Sequence, residues 1–562
     1  MVQPLKPVIT HPILFQKDAV TELDQTSQNK ELLLEYPVVY IVYDKSKGGY
    51  RVYVGETNDI EQRTQEHLGE DRTDWQEFRD NKNTEMLVIG HPHFNKSLTL
   101  DIENTMMMYM LGVNKVKTLN NRRTNQQYKY FTVDERSKIF SEIWQKLHRL
   151  NQDLFPIEQE IRDSAIFKAS PFHKLTAGQE TARKKIFQRI TALSQAGAHH
   201  QLIMVEGEAG SGKTVLLSTL FYRLNHSDTD TPTPTQTHLI VNHKEQVKVY
   251  TNIAQKLDLD TDNVSLASTF IKSHTPDAPV DVVLVDEAHL LLTQGNQGYT
   301  GKNQLNDIMA RSKITVIVFD RKQILKTEEY RTGSSILKLE NHAQQQQNLI
   351  QLKEQLRLQA NPKTLQWLHD LLEHHIIQSI PRDTSYDLRI FDDAQKMYNA
   401  LKRQAANTQN GLSRVVATFD WPYKDSHRDQ TYYVTAGNLT LPWNLQLKAP
   451  RGQGQLPWAE QSQTINEVGS TFTIQGFDLN YSAVIIGPSV KYRDGHLVFD
   501  REASQNRKAI QKRTFDNGNR SYVAEELLAN ELNVLMTRGV HGLYIYAVDD
   551  ALRAALLAAE QH

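Results

Sequence analysis

One stretch, Leu202 to Thr219 (LIMVEGEAGSGKTVLLST), leaves the chain few choices of fold. An apolar run meets a glycine-rich turn and then a second apolar run, the pattern of a buried strand passing through a tight turn into a helix. Within it Gly207-Glu208-Ala209-Gly210-Ser211-Gly212-Lys213-Thr214 fits G-x-x-x-x-G-K-[ST]. The chemistry explains the composition. Gly207, Gly210, Ser211 and Gly212 let backbone N–H groups turn inward around a polyphosphate, and the helix starting near Lys213 adds its positive dipole end. Lys213 then reaches the β and γ phosphates, and the Thr214 hydroxyl ligates Mg²⁺.

A second stretch, Val280 to His289 (VDVVLVDEAH), is a near-continuous β-branched run ending in two carboxylates, as a parallel strand buried on both faces should read. Asp286 at the carboxyl end of that strand is placed to hold the Mg²⁺ shell, and Glu287 to orient the attacking water. Such an ending is specific only beside a phosphate loop, and one lies about 70 residues upstream. The two stretches together imply nucleotide hydrolysis, with ATP and Mg²⁺ as the cofactors.

Composition bounds what else the chain does. Its 562 residues suffice for three or four domains, because single cores stop growing beyond about 250 to 300 residues. Charged residues are 23% and hydrophobic ones 39%, with a net charge of −2, so a nucleic-acid site has to be a local patch rather than a chain-wide basic field. Cysteine is absent, which excludes disulfides and thiolate metal sites and fits a reducing cytoplasm. The first residues lack the charged start and apolar core of a signal peptide, and no window approaches 18 uninterrupted apolar residues, so no membrane is expected. The 21 histidines raise the question of a further metal. His369, Glu373 and the pair His374-His375 share a helix-like stretch, but no other ligand set accompanies them, and a solvated helix face is the expectation.

Before the phosphate loop, Tyr36 to Tyr43 and Tyr50 to Gly55 read as two strands around Lys45-Ser46-Lys47-Gly48-Gly49, a hairpin. A helix capped near Asn58 or Asp59 follows, with Arg63 and His67 four apart on one face. In order, VVY, YVG, Arg63, His67 and Glu103 of LDIEN resemble the GIY-YIG nuclease pattern. That resemblance implies a small sheet with flanking helices that hydrolyses phosphodiesters with one divalent ion, Mg²⁺ or Mn²⁺. Tyr40 and Tyr53 would activate or orient the nucleophile, Arg63 would stabilise phosphate charge, His67 would assist, and Glu103 would bind the metal. Asn120 or Asn121 would be the late asparagine of the family. Val38-Val39 departs from the usual Gly-Ile, although the tyrosine is kept.

A connector follows, with Ile139, Phe140, Ile143, Trp144, Leu147 and Leu150 at helical spacing after caps at Thr132 and Asp134, packing on a flanking domain. Lys174 to Gln179 then resembles the adenine-reading segment of superfamily-one helicases, with Gln179 as the reader. A threonine- and proline-rich linker at 227–237 precedes a short buried strand. Ile314 to Asp320, leading to Gln323, resembles the helicase motif whose glutamine senses the γ-phosphate. Arg357 in LKEQLR resembles an arginine finger. Thr473 to Asp478, with Gly476, and Asn533 to Gly539, with Arg538 as a second finger, resemble the two motifs of the carboxyl-terminal lobe. Trp421, Trp443 and Trp458 are expected to pack rather than to stack on bases, and Ala551 to Ala559 to form a surface helix.

The whole set resembles the bacterial Schlafen-like helicase domain family, known fused to GIY-YIG modules. The expected fold is α/β and multidomain: an extension at 1–35, a GIY-YIG domain at 36–125, a helical connector at 126–172, and two RecA-like lobes with parallel sheets at 173–345 and 346–562. The expected function is a nucleic-acid translocase with a nuclease, acting on DNA rather than RNA, in defence against foreign DNA or in repair. A regulatory ATPase switch and a binding module without catalysis are the alternatives. A homo-oligomer is left open.

Overall fold

The computed structural model describes residues 7–17, 29–46, 48–121, 129–226, 236–296, 298–352, 354–424, 430–515 and 517–560. Lys47 of the hairpin turn, Lys353 and residues 227–235 of the linker lie outside the described residues. The chain divides into two compact units, residues 1–175 with 248–264, and residues 176–247 with 265–562. Among the described residues no helix is long and apolar enough to cross a membrane.

The first unit is built on five strands: β1 (Ile9–Leu14), β2 (Val38–Ser46), β3 (Gly49–Thr57), β4 (Glu85–Gly90) and β5 (Val116–Leu119), in the order β1-β4-β2-β3-β5. The long hairpin β2–β3 forms its centre, with Tyr40 opposite Gly55 and Val42 opposite Tyr53. Strand alternation puts Tyr40, Tyr53 and Gly55 on one face of this hairpin. A Cβ at Gly55 would lie 2.4 Å from the Tyr40 hydroxyl, so this glycine makes room for the ring. The edge strand β1 comes from the amino-terminal extension, whose sequence carries little signal.

Helix α1 (Ile60–Gly69) starts at Asp59, whose side chain accepts from the Gln62 N–H, and buries Ile60, Thr64 and His67 on one stripe. Helix α2 (Thr73–Asp80) adds Trp75 and Phe78 to the same core. Helix α3 (Lys96–Gly112), capped by Asn95, is buried along most of its length, Glu103 included. In the connector, α4 (Arg136–Leu150) begins after a short 3₁₀ turn, with Glu135 at its N-cap rather than the expected Thr132 or Asp134. Its apolar stripe packs on Tyr109 of α3, with Phe140 and Trp144 ring centroids at 4.6 and 4.9 Å. Leu150, counted in that stripe from spacing alone, is exposed because the helix ends there.

The second unit holds two parallel sheets. After α5 (Ala177–Gln195), the first sheet has principal strands β6 (Gln201–Gly207), β7 (Thr237–Val241), β8 (Val280–Asp286), β9 (Ser312–Phe319) and β10 (Leu349–Leu352), in the order β10-β6-β9-β8-β7. Helix α6 (Lys213–Asn225) follows β6. Helix α7 (Pro362–Glu373) leads to the second sheet, whose strands are β11 (Asp387–Ile390), β12 (Ser413–Ala417), β13 (Val468–Gly469), β14 (Leu479–Ile486) and β15 (Gly539–Ala547), in the order β11-β15-β14-β12-β13. Helices α8 (Ala394–Ala406), α9 (Ala524–Met536) and α10 (Asp550–Glu560) complete this lobe. Trp443 and Trp458 are buried, and Trp443 belongs to the lobe core. Ala509 and Leu527 of the second lobe sit in the core of the first, so the two lobes share apolar surface.

Gly55→Ala should force the Tyr40 ring from its place and cost about 1–3 kcal/mol, read as a lower melting temperature. Gly69→Ala, where a Cβ meets nothing within 4 Å, should leave the melting temperature unchanged.

Candidate active sites

In the first unit the packing of α1 on the hairpin brings four of the five expected nuclease residues into one cluster. The Tyr40 hydroxyl is 2.7 Å from His67 Nε2, and Arg63 Nε donates to that hydroxyl at 3.4 Å. The Tyr40 and Tyr53 rings stack with centroids 6.0 Å apart, and Tyr53 meets His67 edge-on at 5.2 Å. Arg63 is half-buried and also pairs with Glu66 at 2.7 Å. His67 is buried, stacked on Trp75 at 3.7 Å, with Nδ1 3.3 Å from the Glu70 carboxylate. If Nδ1 donates to Glu70, Nε2 is left to accept from Tyr40.

Electrostatics follow from burial. Desolvation, then the nearby Tyr53, holds the Tyr40 phenol well above its ordinary range, and desolvation likewise raises Tyr53. Burial, then the Arg63 and Arg72 charges, pushes the His67 imidazole down to about 2. His67 is therefore neutral in the folded protein.

Glu103 stands on α3 facing β3. Its Oε1 accepts from the Asn121 amide at 2.8 Å, and the same amide donates to the Val54 carbonyl at 2.6 Å. Of the two asparagines left open by the sequence, Asn121 is the one bound to Glu103. The Glu103 charge is also felt by Tyr53, which it raises. A buried carboxylate beside a phenol, oriented by an amide, suits a hard divalent cation.

In the second unit the phosphate loop closes between β6 and α6. Gly210 and Gly212 have φ of 86° and 76°, a backbone region that glycine enters freely. A Cβ at Gly212 would lie 1.9 Å from Gln179 Nε2, and one at Gly207 would lie 2.6 Å from Ser211 Oγ. Gln179 is committed at both ends of its amide, accepting from the Thr176 N–H at 2.9 Å and donating to the Ser211 carbonyl at 3.2 Å. Reading an adenine edge requires it to exchange those partners. Ser211 Oγ is buried without a hydrogen-bond partner, so the loop fits a group that supplies one, as a nucleotide phosphate does. Thr214 is half-buried at the first turn of α6.

Lys213 is buried and donates to the Gly207 and Glu208 carbonyls at 2.6 and 2.8 Å and to Asp320 at 3.4 Å. Asp320, at the end of β9, accepts in turn from Gln323 Nε2 at 2.8 Å. Gln323 Oε1 accepts from Arg538 Nη2 at 3.0 Å, and the Gln323 carbonyl accepts from Gln475 at 3.0 Å. Arg538 is fully buried and also donates to the Val534 and Phe477 carbonyls. A hydrogen-bonded path thus runs from the phosphate loop of one lobe to the expected finger of the other. Burial opposes the Asp320 charge, but Lys213 and His289 outweigh it and hold the carboxyl below its usual range. Burial, then Arg357, lowers Arg538 to about 10.

The remaining expected residues surround this path. Asp286 is buried at the end of β8, and Glu287 takes a left-handed φ of 50°, a strained conformation for a non-glycine residue. Glu287 Oε2 lies 3.0 Å from His289 Nε2, at ion-pair distance without hydrogen-bonding geometry. Burial opposes its charge, yet His289, Lys213 and Arg538 keep it ionised. Arg357 Nε lies 2.6 Å from the Asp478 carboxylate, and the Leu356 N–H donates to the Gly210 carbonyl, so this segment rests on the tip of the loop. Gly476, φ 83°, is covered by the Gln246 amide. Asn530 and Asn533 of α9 donate to the carbonyls of Arg321, Ile324 and Lys322 and so fix the turn that carries Gln323. Asn533 opens the motif that the sequence singled out, whereas Asn530 was passed over; its signal is a buried polar residue three before Asn533 on the same helix. His369, Asp370 and His374 bring ligand-type atoms within 4.8 Å of one another on an exposed helix end, while Glu373 pairs with Lys322.

Two parallel-sheet lobes joined through a phosphate loop and a buried arginine define a helicase-type ATPase of RecA-like architecture, here with a nuclease-type domain before it. Residues 200–549 match the Schlafen group 3 DNA/RNA helicase domain, and residues 36–107 match the GIY-YIG catalytic domain. The chain belongs to that Schlafen group 3 helicase family and carries a GIY-YIG domain, so it is an enzyme of the ATPase/helicase and endonuclease classes. An uncharacterized protein of Saccharomyces cerevisiae is 32% identical over 425 residues, covering 68% of this chain and 90% of that protein. Among solved structures, the PRRSV helicase is 11% identical with a TM-score of 0.28, covering 65% of this chain and 56%, about half, of that one. A structure described as two coordinating Pif1 helicases unwinding forked dsDNA is 9% identical with a TM-score of 0.25, covering 68% of this chain and 94% of that one.

Two outcomes are expected from the geometry. His67 keeps a pKa of about 2 in the fold, against an ordinary value near 6.5 when unfolded, so the stability it contributes is present above pH 6.5. Below that pH the unfolded chain takes up a proton that the folded one refuses, at about 1.4 kcal/mol per pH unit. Denaturant titrations should show the stability gap between wild type and His67→Gln narrowing by about 2 kcal/mol from pH 7 to pH 5. Arg538→Ala should lower the melting temperature, because it strands buried partners at about 1–3 kcal/mol each. Arg357→Ala, at a partly exposed pair, should change the melting temperature much less.

Proposed function

We propose that this protein is an ATP-driven nucleic-acid motor carrying a divalent-metal-dependent endonuclease, acting on DNA in defence against foreign DNA, with repair as the second role. The observation that carries the reading is the buried path Lys213–Asp320–Gln323–Arg538, which ties a phosphate-binding lysine in one lobe to an arginine in the other. A γ-phosphate bound at Lys213 competes with Asp320 for its ammonium, and each rearrangement along the path alters what holds Arg538. Lobe closure and opening then follow hydrolysis.

Glu287, ionised and strained, is the group to orient water; Asp286 and Thr214 are the oxygen ligands for Mg²⁺. The bound ion would supply charge neutralisation on the phosphates. Arg357 and Arg538 act as fingers by leaving Asp478 and Gln323 for the transferring phosphoryl group. Gln179 and Gly476 complete the nucleotide site from either lobe.

In the nuclease domain Tyr40, held neutral by burial and hydrogen-bonded to His67, orients the attacking oxygen together with Tyr53, while Arg63 receives the phosphate charge. Glu103, fixed by Asn121, holds Mg²⁺ or Mn²⁺ there.

The test uses the full chain with Mg²⁺ or Mn²⁺ on single- and double-stranded DNA and RNA. Lys213→Ala should abolish ATP hydrolysis, and Glu103→Ala should abolish strand cleavage while ATP hydrolysis survives. Full cleavage by Glu103→Ala removes the nuclease assignment, and an unchanged ATPase rate in Lys213→Ala removes the motor. Wild-type ATPase that pushes no roadblock along a strand leaves a regulatory switch.

A further inference from the structure

The segment Arg501 to Tyr522, between β14 and α9, carries six Lys or Arg residues against two carboxylates in a chain whose net charge is only −2. Arg507, Lys508, Lys512 and Arg520 are exposed, and among the described residues none of them forms an ion pair. Tyr522 is 44% exposed, with the Arg501 guanidinium 3.6 Å from its ring centroid and the Lys512 ammonium 5.2 Å from it. An exposed aromatic ring braced by cations, with free cations around it, is the combination that stacks a base and holds the flanking phosphates.

The segment is fixed rather than dangling. Ala509 enters the core of the first lobe, with Ile510 and Phe515 packed against it. Arg513 is buried and donates to the Thr327 carbonyl and, at 2.9 Å, to the Thr293 hydroxyl. Thr327 in turn donates to the Lys508 carbonyl and accepts from Gln511 at 2.7 Å. Thr327 lies four residues beyond Gln323, so the strap is anchored to the stretch that follows the phosphate-sensing turn.

An open groove of about 940 Å³ runs beside Tyr522. Its carboxylates would repel a polyanion if they were free, but most are engaged. Asp500 pairs with Lys491, Glu373 with Lys322 and Glu502 with Arg501, and Glu526 accepts from the Tyr330 hydroxyl. Glu525 of the same lining has no ion pair among the described residues and Glu526 keeps its charge, so the unmatched positive charge lies on the strap, at Arg507, Lys508, Lys512 and Arg520, and not in the groove.

We infer that the 501–522 strap is a contact surface for a single nucleic-acid strand, with a base stacked on Tyr522 and phosphates held by Lys512, Arg520, Arg507 and Lys508. This rests on the reading of the protein as a nucleic-acid motor. The full-length protein is titrated against a fluorescent single-stranded oligonucleotide, DNA and RNA in turn, across a series of salt concentrations. Tyr522→Ala should weaken binding about tenfold with the salt slope kept, and Tyr522→Phe should restore it. Lys512→Ala with Arg520→Ala should lower the slope of log affinity against log salt by about 1.4. Because these side chains are exposed, melting temperatures should match wild type and separate lost binding from lost folding. Wild-type binding that these variants leave unchanged overturns the surface assignment alone. Absence of binding by the wild type overturns the motor reading and this inference with it. Displacement of the strand by a polyglutamate peptide as effectively as by unlabelled oligonucleotide assigns the face to an acidic protein instead.

Discussion

A buried guanidinium cannot be left without partners, and much of the second unit is arranged around that fact. Arg538 is removed from water between the two sheets, and its bonds to Val534, Phe477 and Gln323 are what make its burial tolerable. Two come from its own lobe and one from the other, so separating the lobes breaks the Arg538–Gln323 bond and leaves each side with the partners of its own lobe. Backbone register sets the far end of the path. Phe319 of β9 stands opposite Glu206 of β6, which places Asp320 beside the loop entered by Gly207 and within reach of Lys213. The asparagines of α9 hold the turn between, so Gln323 meets both Asp320 and Arg538 without a flexible segment intervening.

The first unit uses another economy, in which the same side chains belong to the core and to the cluster proposed as the nuclease site. Tyr40 and Tyr53 are members of the apolar core, yet their hydroxyls meet Arg63, His67 and the field of Glu103. Burial raises both phenols and lowers the imidazole, which keeps all three neutral. Gly55 is the condition for this, because the ring of Tyr40 occupies the space a side chain would need. Trp75, stacked on His67, prevents the imidazole from turning away.

What could be read in advance follows from how local each signal is. Parallel strands buried on both faces read as unbroken apolar runs, so β6, β8 and β9 were legible, and the structure joins Lys213 and Gln323, two residues of the expected site, through Asp320. The hairpin and α1 were legible because alternation and helical spacing are local. The partners were not. Nothing near Gln179 announces that its amide closes a capping box and ties the loop, nor near Arg357 that Asp478, more than a hundred residues on, pairs with it. Glu287 and His289 adjoin in sequence, but their ion pair depends on a left-handed turn that favours glycine. Strand β1 escaped notice because an edge strand needs no apolar pattern to pair with β4. Leu150 shows the converse error, a correct period carried one residue past where the helix has a partner.

Two kinds of polyanion-binding chemistry follow from where the cations are matched. At the proposed nucleotide site each positive group already faces a carboxylate or an amide: Lys213 faces Asp320, Arg357 faces Asp478, and Arg538 lies on Gln323 in the field of Glu287. A phosphate entering there exchanges partners instead of gathering counter-charge, so its grip is set by geometry and is little screened by salt. On the 501–522 strap Arg507, Lys508, Lys512 and Arg520 are exposed and, among the described residues, without ion pairs, the arrangement in which attraction is long-ranged, tolerant of position and sensitive to ionic strength. A nucleotide must be held in one geometry for a phosphoryl group to leave, whereas a strand that passes through a motor must be held in many. The difference in burial between these two sets of cations is the difference the two proposed tasks would require.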